Sequence, residues 1–230
     1  MFDLDPSNDL SSLTVAARRN APKKALAELG RLLTGVPAYP ALNGMALHAT
    51  DHGADTGVAI IDLSRPSHKP CLTAPAQEDV GLQAFDLQLS SCDAGMLTDL
   101  GEMNRAFVAL RLGWVLRCLD LAFGYLEGRE SFGMQLLHQP LIKAQFSEIN
   151  ATVDRLLTEN QLPGQTTAAM NRSTHREIGH LFGKAAKLMG GRGLLAGQCH
   201  GLELLDAVLF ALIRPALAAT ADDLNGFGQG

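Results

Sequence analysis

After Thr98, apolar residues recur at helical spacing for almost the whole remaining chain, and this periodic stretch restricts the fold more than any other feature. The first stripe predicts one long helix that ends at Gly128, and its members are Leu100, Met103, Phe107, Leu110, Trp114, Cys118, Leu121 and Tyr125. Asp99 and Glu102 have the spacing of a capping pair at its start.

Three further apolar stripes follow, and each one stops at Gly or Pro. They are Ile142, Phe146, Ile149, Val153 and Leu156; then Met170, Ile178, Leu181, Ala185 and Leu188; and finally Leu202, Leu205, Leu209 and Leu212. Four apolar helices with short connections predict a mainly α fold built on an antiparallel four-helix bundle.

The first 97 residues predict shorter elements. One helix begins near Ala21 and stops at Gly35, and a second is expected over 41–50. The β-branched segment VAIIDL at 58–63 and the alternating segment AFDLQLSS at 84–91 are typical of strands. We therefore expect a small sheet of two or three strands at most.

Composition excludes several functional classes. The net charge of -5 gives no electrostatic basis for binding nucleic acid or an anionic membrane. The first residues lack the apolar core of a signal peptide, and the segment at 202–213 is too short and too acidic to span a bilayer. We therefore expect no membrane association.

The cysteines are widely separated, with no C-x-x-C pair and no H-E-x-x-H helix nearby; they are Cys71, Cys92, Cys118 and Cys199. This spacing supports neither a zinc site nor a disulfide framework. We expect no metal, reduced thiols and a cytoplasmic location.

Two glycine turns connect these helices to a known family. The order of a long helix, RESFG at 129–133, two helices, LMGGRGLL at 188–195 and a last helix resembles the C-terminal domain of the acyl-CoA dehydrogenases. That family has an R-x-x-F-G turn and a G-G-x-G turn at these places. The resemblance covers about residues 98–217.

The resemblance implies a domain organisation. Residues 1–50 are expected to be a remnant of the family's N-terminal helical domain and 51–97 a remnant of its middle β domain. Residues 98–220 would form the C-terminal four-helix bundle, and 221–230 a flexible tail. The middle-domain segment that hydrogen-bonds the flavin ring is nearly absent.

The family's two turns meet the adenine and pyrophosphate end of FAD held mainly by a neighbouring subunit. The residues that the resemblance assigns to this role are Arg129, Phe132, Gly133, Gly190, Gly191 and Gly193. A guanidinium can pair with phosphate, and glycine lets backbone N–H groups approach an anion. The alternative is local: Arg129 pairs with Glu127 or Glu130, and the glycines only end a helix.

The family's catalytic base, a glutamate, has no clear counterpart. In the commoner arrangement it belongs to an E-G-T triplet shortly after the fourth helix, where gapless counting places Arg214, Pro215 and Ala216. In the other arrangement it lies early in the first long helix, where Met103 stands. Glu102 is one position away, which is about 100° around the helix.

Other titratable residues are candidates without a motif. His175 and His180 lie on different faces of one helix, and each is expected at the surface or hydrogen-bonded in the core. Glu203 and Asp206 interrupt an apolar helix, so they either line a cleft or form an outward-facing charged stripe. The stripe is the commoner case.

These observations lead to one functional hypothesis and two alternatives. The first is a truncated acyl-CoA dehydrogenase homologue that serves as a non-catalytic partner subunit, as a homo-oligomer or with a full-length dehydrogenase. It would share FAD with that partner, retain none alone, and act in fatty acid metabolism. The alternatives are an active acyl-thioester enzyme, dehydrogenating or redox-neutral, with a relocated base, and a relic with only a structural dimer contact.

Overall fold

The computed structural model describes residues 6–51, 58–75, 79–131, 133–164 and 167–217. The protein is mainly helical with a small mixed sheet, as the composition and periodicity predict at that level. The described residues form seven α-helices: α1 (Pro6–Arg19), α2 (Pro22–Thr34), α3 (Val80–Gln83), α4 (Met103–Glu127), α5 (Pro140–Gln161), α6 (Ala168–Lys187) and α7 (Cys199–Leu217). Two 3-10 turns, Leu136–His138 and Gly190–Leu194, precede α5 and follow α6.

The sheet is larger than the sequence predicts. Its strands are β1 (Ala38–Leu42), β2 (Met45–Ala49), β3 (Ala59–Asp62), β4 (Leu72–Pro75) and β5 (Leu87–Cys92). They are arranged in the order β3-β1-β2-β5-β4, with β1 and β3 parallel and the other pairs antiparallel. The strands predicted at 58–63 and 84–91 are confirmed as β3 and β5. The expectation of a sheet with two or three strands at most is wrong, because the sheet has five strands.

The helix predicted over 41–50 is also wrong, because this segment is the β1–β2 hairpin. Asn43 and Gly44 form its two-residue loop with φ angles of 55° and 79°. An Asn-Gly pair between apolar runs is the strongest short hairpin signal, since both residues tolerate positive φ. This hairpin precedes residue 50, so the sheet crosses the boundary expected between the first two domains.

Helix α4 lies at the centre of the protein. The residues of the predicted stripe are buried or packed against the core. Every residue from Asn104 to Val115 is buried except Arg105, which is partly exposed, so in this half of the helix burial extends beyond the single stripe. Helices α1, α2, α5, α6 and α7 all pack against it, which leaves no broad face for water. The helix begins at Met103 without a side-chain cap, because Asp99 instead accepts a hydrogen bond from Gly101 N.

Helix α1, which the sequence analysis did not predict, crosses α4 at very close range. A Cβ atom placed on Gly113 would lie 2.5 Å from both Ala17 Cβ and Thr14 O. The hydroxyl of Thr14 donates to Leu10 O over 3.0 Å and lies 3.3 Å from Ala109 O. The absence of a side chain at position 113 therefore sets the distance between these two helices.

Contacts between side chains give the relative directions of α4, α6 and α7. Arg111 on α4 contacts Asp206, and Cys118 contacts Cys199, so α7 runs antiparallel to α4. Arg111 also contacts His175 on α6, and because Asn104 and Asn171 meet lower on the same helices, α4 and α6 run in the same direction.

Helix α5, which lies between α4 and α6 in the chain, runs in the opposite direction to both. Glu148 pairs with Lys184, and Arg155 pairs with Glu177, so α5 is antiparallel to α6. As a result, α4 and α6 finish at one end of the helices, and α5 and α7 begin there. We call this the turn end, because both glycine turns lie at it. Among the residues described, every helix is too short or too polar to span a bilayer.

Candidate functional site

The RESFG segment forms a tight hairpin at the turn end. Its strands β6 (Glu130–Ser131) and β7 (Met134–Gln135) pair antiparallel, with Gly133 at a φ of +75°. Phe132 lies outside the described residues. Arg129 is exposed, its guanidinium lies 4.1 Å from the centre of the Tyr125 ring, and none of the ion pairs found among the described residues involves it. The local pairing with Glu127 or Glu130 is therefore not observed.

The second glycine turn follows α6. Gly190 has a φ of +52°, which favours glycine, and both Gly190 and Gly191 are exposed. Gly193 is buried, and a Cβ atom there would lie 3.1 Å from His200 Cδ2. The first two glycines therefore present backbone at the surface, whereas Gly193 allows close packing against α7.

The two positions that the resemblance assigns to the family's glutamate lie at the opposite end of the helices. Glu102 is exposed at the start of α4, and Met103 is partly buried. Arg214 is exposed in the last turn of α7, and Pro215 lies inside that helix. The triplet expected after the helix is thus still helical. The β1–β2 hairpin covers this region, because Asn43 Nδ2 donates to Leu212 O over 2.7 Å.

The core contains a buried ion pair, and its acidic member is Asp206, for which the sequence left open a cleft or, more commonly, an outward-facing stripe. Arg111 Nε and Nη2 donate to the two carboxylate oxygens of Asp206 over 2.6 and 2.8 Å. Only 1% of Arg111 and 3% of Asp206 is exposed, so Asp206 belongs to no outward-facing stripe. Glu203, three residues earlier, is partly exposed and accepts a bond from His200. Burial raises the pKa of Asp206, and the charge of Arg111 opposes that rise.

His175 continues the network from Arg111. An arginine only donates, so Nδ1 of His175 must accept from Arg111 Nη1 over 2.6 Å, which places the imidazole proton on Nε2. Burial, together with the charge of Arg111, holds the pKa of His175 well below its usual range. The ring is therefore neutral. His180, on the same helix, is exposed.

Two asparagines complete the chain of donors and acceptors. His175 Nε2 donates to Asn104 Oδ1 over 3.0 Å, and Asn104 Nδ2 donates to Asn171 Oδ1 over 3.0 Å. Each of these donors finds an acceptor among buried groups of α4, α6 and α7. Such a network fixes the register of helices rather than presenting groups to a substrate. Its sequence signal is Arg111, a cation inside an apolar helical run.

A histidine and a serine also meet in the sheet. His48 Nδ1 donates to Ala49 O over 2.8 Å, and its Nε2 accepts from the Ser90 hydroxyl over 2.9 Å. This orientation matches that of a base beside a nucleophilic serine. However, His48 is 1% and Ser90 2% exposed, so the pair is a core hydrogen bond that links β2 to β5.

Three sulfur atoms meet where α4, α6 and α7 converge near the turn end. The Cys199 thiol donates to Met189 Sδ over 3.1 Å, and it lies 3.4 Å from Cys118 O. The hydrogen bond between the two thiols raises the pKa of Cys118 well above its usual range, to which burial adds. The same bond lowers the pKa of Cys199. Among the described residues, no three His, Cys, Asp or Glu side chains are arranged to hold a metal ion.

Large apolar side chains are exposed near the turn end. They come from the last turns of α4, the hairpin, the start of α5 and the second glycine turn: Phe123, Met134, Leu141, Leu194 and Leu195. A separate groove of about 420 Å³ runs along α1 and is lined by Ser11, Ser12, Val15, Ala16, Arg19 and Asn20. None of the sequence-predicted site residues lines this groove.

Comparison with known protein families gives no match. No curated protein is significantly similar in sequence.

Proposed function

We propose that this chain is a truncated acyl-CoA dehydrogenase homologue that acts as a non-catalytic partner subunit of a complete, FAD-bearing dehydrogenase. The observation that carries the proposal is the position of the two glycine turns. Both lie at one end of α4 and α6, and one of them presents the exposed guanidinium of Arg129, which takes part in none of the ion pairs among the described residues. An anion at this end would meet a cation and exposed backbone N–H groups.

The proposal includes the finer fold. Helices α4, α5, α6 and α7 alternate in direction along the chain, which supports an antiparallel four-helix bundle of the acyl-CoA dehydrogenase C-terminal kind. Remnants of the N-terminal helical domain and of the middle β domain would then account for α1, α2 and the sheet.

The chain's residues fit only part of FAD. Arg129 and the exposed Gly190 and Gly191 suit its phosphates, but the segment expected to hold the flavin ring is nearly absent from the sequence. The partner would therefore supply most of the cofactor site. FAD, when bound there, accepts hydride from the β carbon of an acyl thioester.

The proposal that this chain is non-catalytic depends on the residues that occupy the two positions of the family's catalytic base. Arg214, at the commoner position, is a cation, and Met103, at the other, cannot accept a proton. Glu102 is exposed at the start of α4, and no described feature favours the alternative of an active enzyme with a relocated base.

The exposed apolar residues at the turn end would lie in the subunit interface. Monomers rarely leave a continuous apolar patch in water, and family members associate through this bundle. The partner is either a full-length dehydrogenase or a second copy of this chain. Free thiols at all four cysteines suit a cytoplasmic protein.

The test compares the protein alone with the protein recovered in its native complex. Tagged protein purified alone should be colourless, because its own residues cannot hold the flavin ring. Protein isolated gently from its native cells should carry an acyl-CoA dehydrogenase subunit and a flavin absorption spectrum. Near-stoichiometric flavin on the isolated chain would disprove the partner role, and so would native isolates with no flavoprotein.

A further inference from the structure

Each of the two connections at the turn end combines an exposed leucine with an exposed cation. Where α5 begins, Leu141 is 69% exposed, and Lys143 lies in the same helical turn. In the connection from α6 to α7, Leu194 is 72% exposed and follows the exposed Arg192 by two residues. Because α4 and α6 pack against each other, these connections start only about 8–10 Å apart. They therefore form one surface.

Cations outnumber carboxylates on this surface, although the whole chain has a net charge of -5. We counted from the last turn of α4 or α6 to the first turn of the helix that follows. The exposed cations there that take part in none of the ion pairs among the described residues are Arg129, Lys143, Lys187 and Arg192. Lys184 is paired with Glu148. The exposed carboxylates in these segments are Glu127 and Glu130. Positive charge is thus concentrated at one end of an acidic protein.

The start of α5 adds a second positive feature. No side chain caps this helix, and its first turn contains no acidic residue. The N-terminus of a helix has unpaired backbone N–H groups and a partial positive charge, both of which favour a carboxylate. The first turn of α5 has Lys143 instead. A carboxylate supplied by another molecule would meet both the N–H groups and the ammonium group.

We propose that the turn end binds a different protein chain through an acidic surface with an apolar centre, and that one carboxylate of that surface caps α5. The exposed apolar side chains supply buried area, and the cations select a partner of opposite charge. This inference rests on the partner role proposed above. It chooses between the two partners left open there, because it excludes a second copy of this chain.

A second copy fits the charges poorly. In a twofold dimer the same patch lies on both sides of the interface, so the cations of one copy face those of the other. Like charges brought together across an interface are strongly unfavourable. An anionic membrane attracts the same cations, but it repels the rest of a chain whose net charge is -5. An acidic protein surface meets only the turn end.

The experiment places the photoreactive amino acid p-benzoylphenylalanine at position 141 or 194 of the full chain in its native cells. Both positions should crosslink to the same second protein. Mass spectrometry of the joined peptide should show more Asp and Glu than Lys and Arg. Position 162 is the control, because Leu162 is 58% exposed at the opposite end of α5, and it should not give this product.

Charge reversal tests the electrostatic part. Lys143→Glu combined with Arg192→Glu should lower the crosslinking yield from position 141 by about tenfold or more. Lys69→Glu combined with Arg176→Glu makes the same change in net charge at exposed positions away from the turn end, and it should leave the yield unchanged. Replacing the contacting Asp or Glu of the partner by Lys should restore the yield with Lys143→Glu. All four substituted side chains are exposed, so the midpoint of thermal unfolding should stay near that of the parent.

The outcomes separate this inference from the proposed function. An acidic contact peptide from a protein without flavin would keep the inference and remove the dehydrogenase partner. A dehydrogenase crosslinked through a neutral or basic peptide would do the reverse. Crosslinks between two copies of this chain, no protein crosslink, or a yield insensitive to charge reversal would overturn the inference. Sedimentation of the purified protein with vesicles of phosphatidylserine and phosphatidylcholine, abolished by Lys143→Glu with Arg192→Glu, would assign the surface to a membrane and overturn it as well.

Discussion

The guanidinium of Arg111 and the carboxylate of Asp206 form two parallel hydrogen bonds, 2.6 and 2.8 Å long, in the interior of the protein. Two N–H donors directed at both carboxylate oxygens favour the ionised carboxylate. The two hydrogen bonds join α4 to α7. The centre of the Phe210 ring lies 5.0 Å from the guanidinium carbon of Arg111. The pair therefore connects helices that are distant in sequence.

Replacing one member of this pair should lower the free energy of unfolding much more than replacing both members. Asp206→Leu leaves the Arg111 cation buried without a counter-charge, so we expect a loss of about 3–5 kcal/mol in the free energy of unfolding. Arg111→Met combined with Asp206→Leu should recover part of that loss, although His175 Nδ1 then lacks its donor. Urea unfolding of the single and double variants measures both quantities.

The exposed pair of Arg18 and Asp120 is a matched control. It has the same two-bond geometry, with both distances 2.7 Å, but both side chains are about half exposed. Asp120→Ala should therefore cost at most about 1 kcal/mol. Equal losses at Asp120 and Asp206 would mean that burial does not set the strength of these pairs.

His175 should make the protein less stable in mild acid. Its pKa is lowered in the fold, so below its usual value of about 6.5 the unfolded chain binds a proton that the folded chain does not. Stability is therefore present above pH 6.5 and falls by about 1.4 kcal/mol per pH unit as pH drops towards the folded pKa. Urea unfolding between pH 5 and 8 measures this slope.

Comparison with His175→Asn isolates the histidine, since the raised pKa of Asp206 contributes with the opposite sign. Asn offers Arg111 an acceptor and does not titrate, so the slope should flatten even though packing is lost. His180→Asn, at an exposed position, should keep the parent slope. An unchanged slope in His175→Asn would show that another group is responsible.

Gly113→Ala should destabilise the protein although alanine is the better helix former. The new methyl group would lie 2.5 Å from Ala17 Cβ and Thr14 O, and such overpacking costs about 1–3 kcal/mol. Gly124→Ala, in the same helix with open space at its Cβ, should instead stabilise by about 0.5–1 kcal/mol. Thermal unfolding should thus shift in opposite directions for the two substitutions.

Arg129→Ala should separate the flavin role from a local one. Its observed contact with Tyr125 is exposed, so we expect a loss of stability below about 1 kcal/mol. If the proposed role is correct, a complex reconstituted with a full-length acyl-CoA dehydrogenase should lose a phosphate contact, and the dissociation constant of FAD should rise by about tenfold to a hundredfold. Arg129→Lys should recover only part of this, because it keeps the charge but not the planar fork. Unchanged flavin affinity would leave Arg129 as a helix-end residue.

Local signals predicted much of the helical region. Helix α5 ends at Gln161 before Leu162 and Pro163, and α6 ends at Lys187 shortly before Gly190, because Pro and Gly act on the backbone where they stand. The β1–β2 hairpin was equally predictable from Asn43 and Gly44.

The candidate site was harder to predict. Arg111 and Asp206 are 95 positions apart, and nothing near either residue specifies the other. Asp206 therefore had the local pattern of a charged stripe, and only the packing of α4 against α7 buries it. The contact of Cys118, Met189 and Cys199 was not predicted for the same reason. These residues come from three separate elements, and the spacing of residues along one segment does not reveal contacts between elements.

The close crossing of α1 and α4 also has a consequence for biosynthesis. Thr14 and Ala109 lie 95 positions apart, so α1 leaves the ribosome well before the helix that covers it exists. At about 5–20 residues per second, the apolar face formed by Leu10, Leu13 and Ala17 stays uncovered for about 5–20 s. We expect nascent chains arrested before Gly113 to bind a chaperone through α1 and to be cleaved there by protease, and chains arrested well beyond it to resist both.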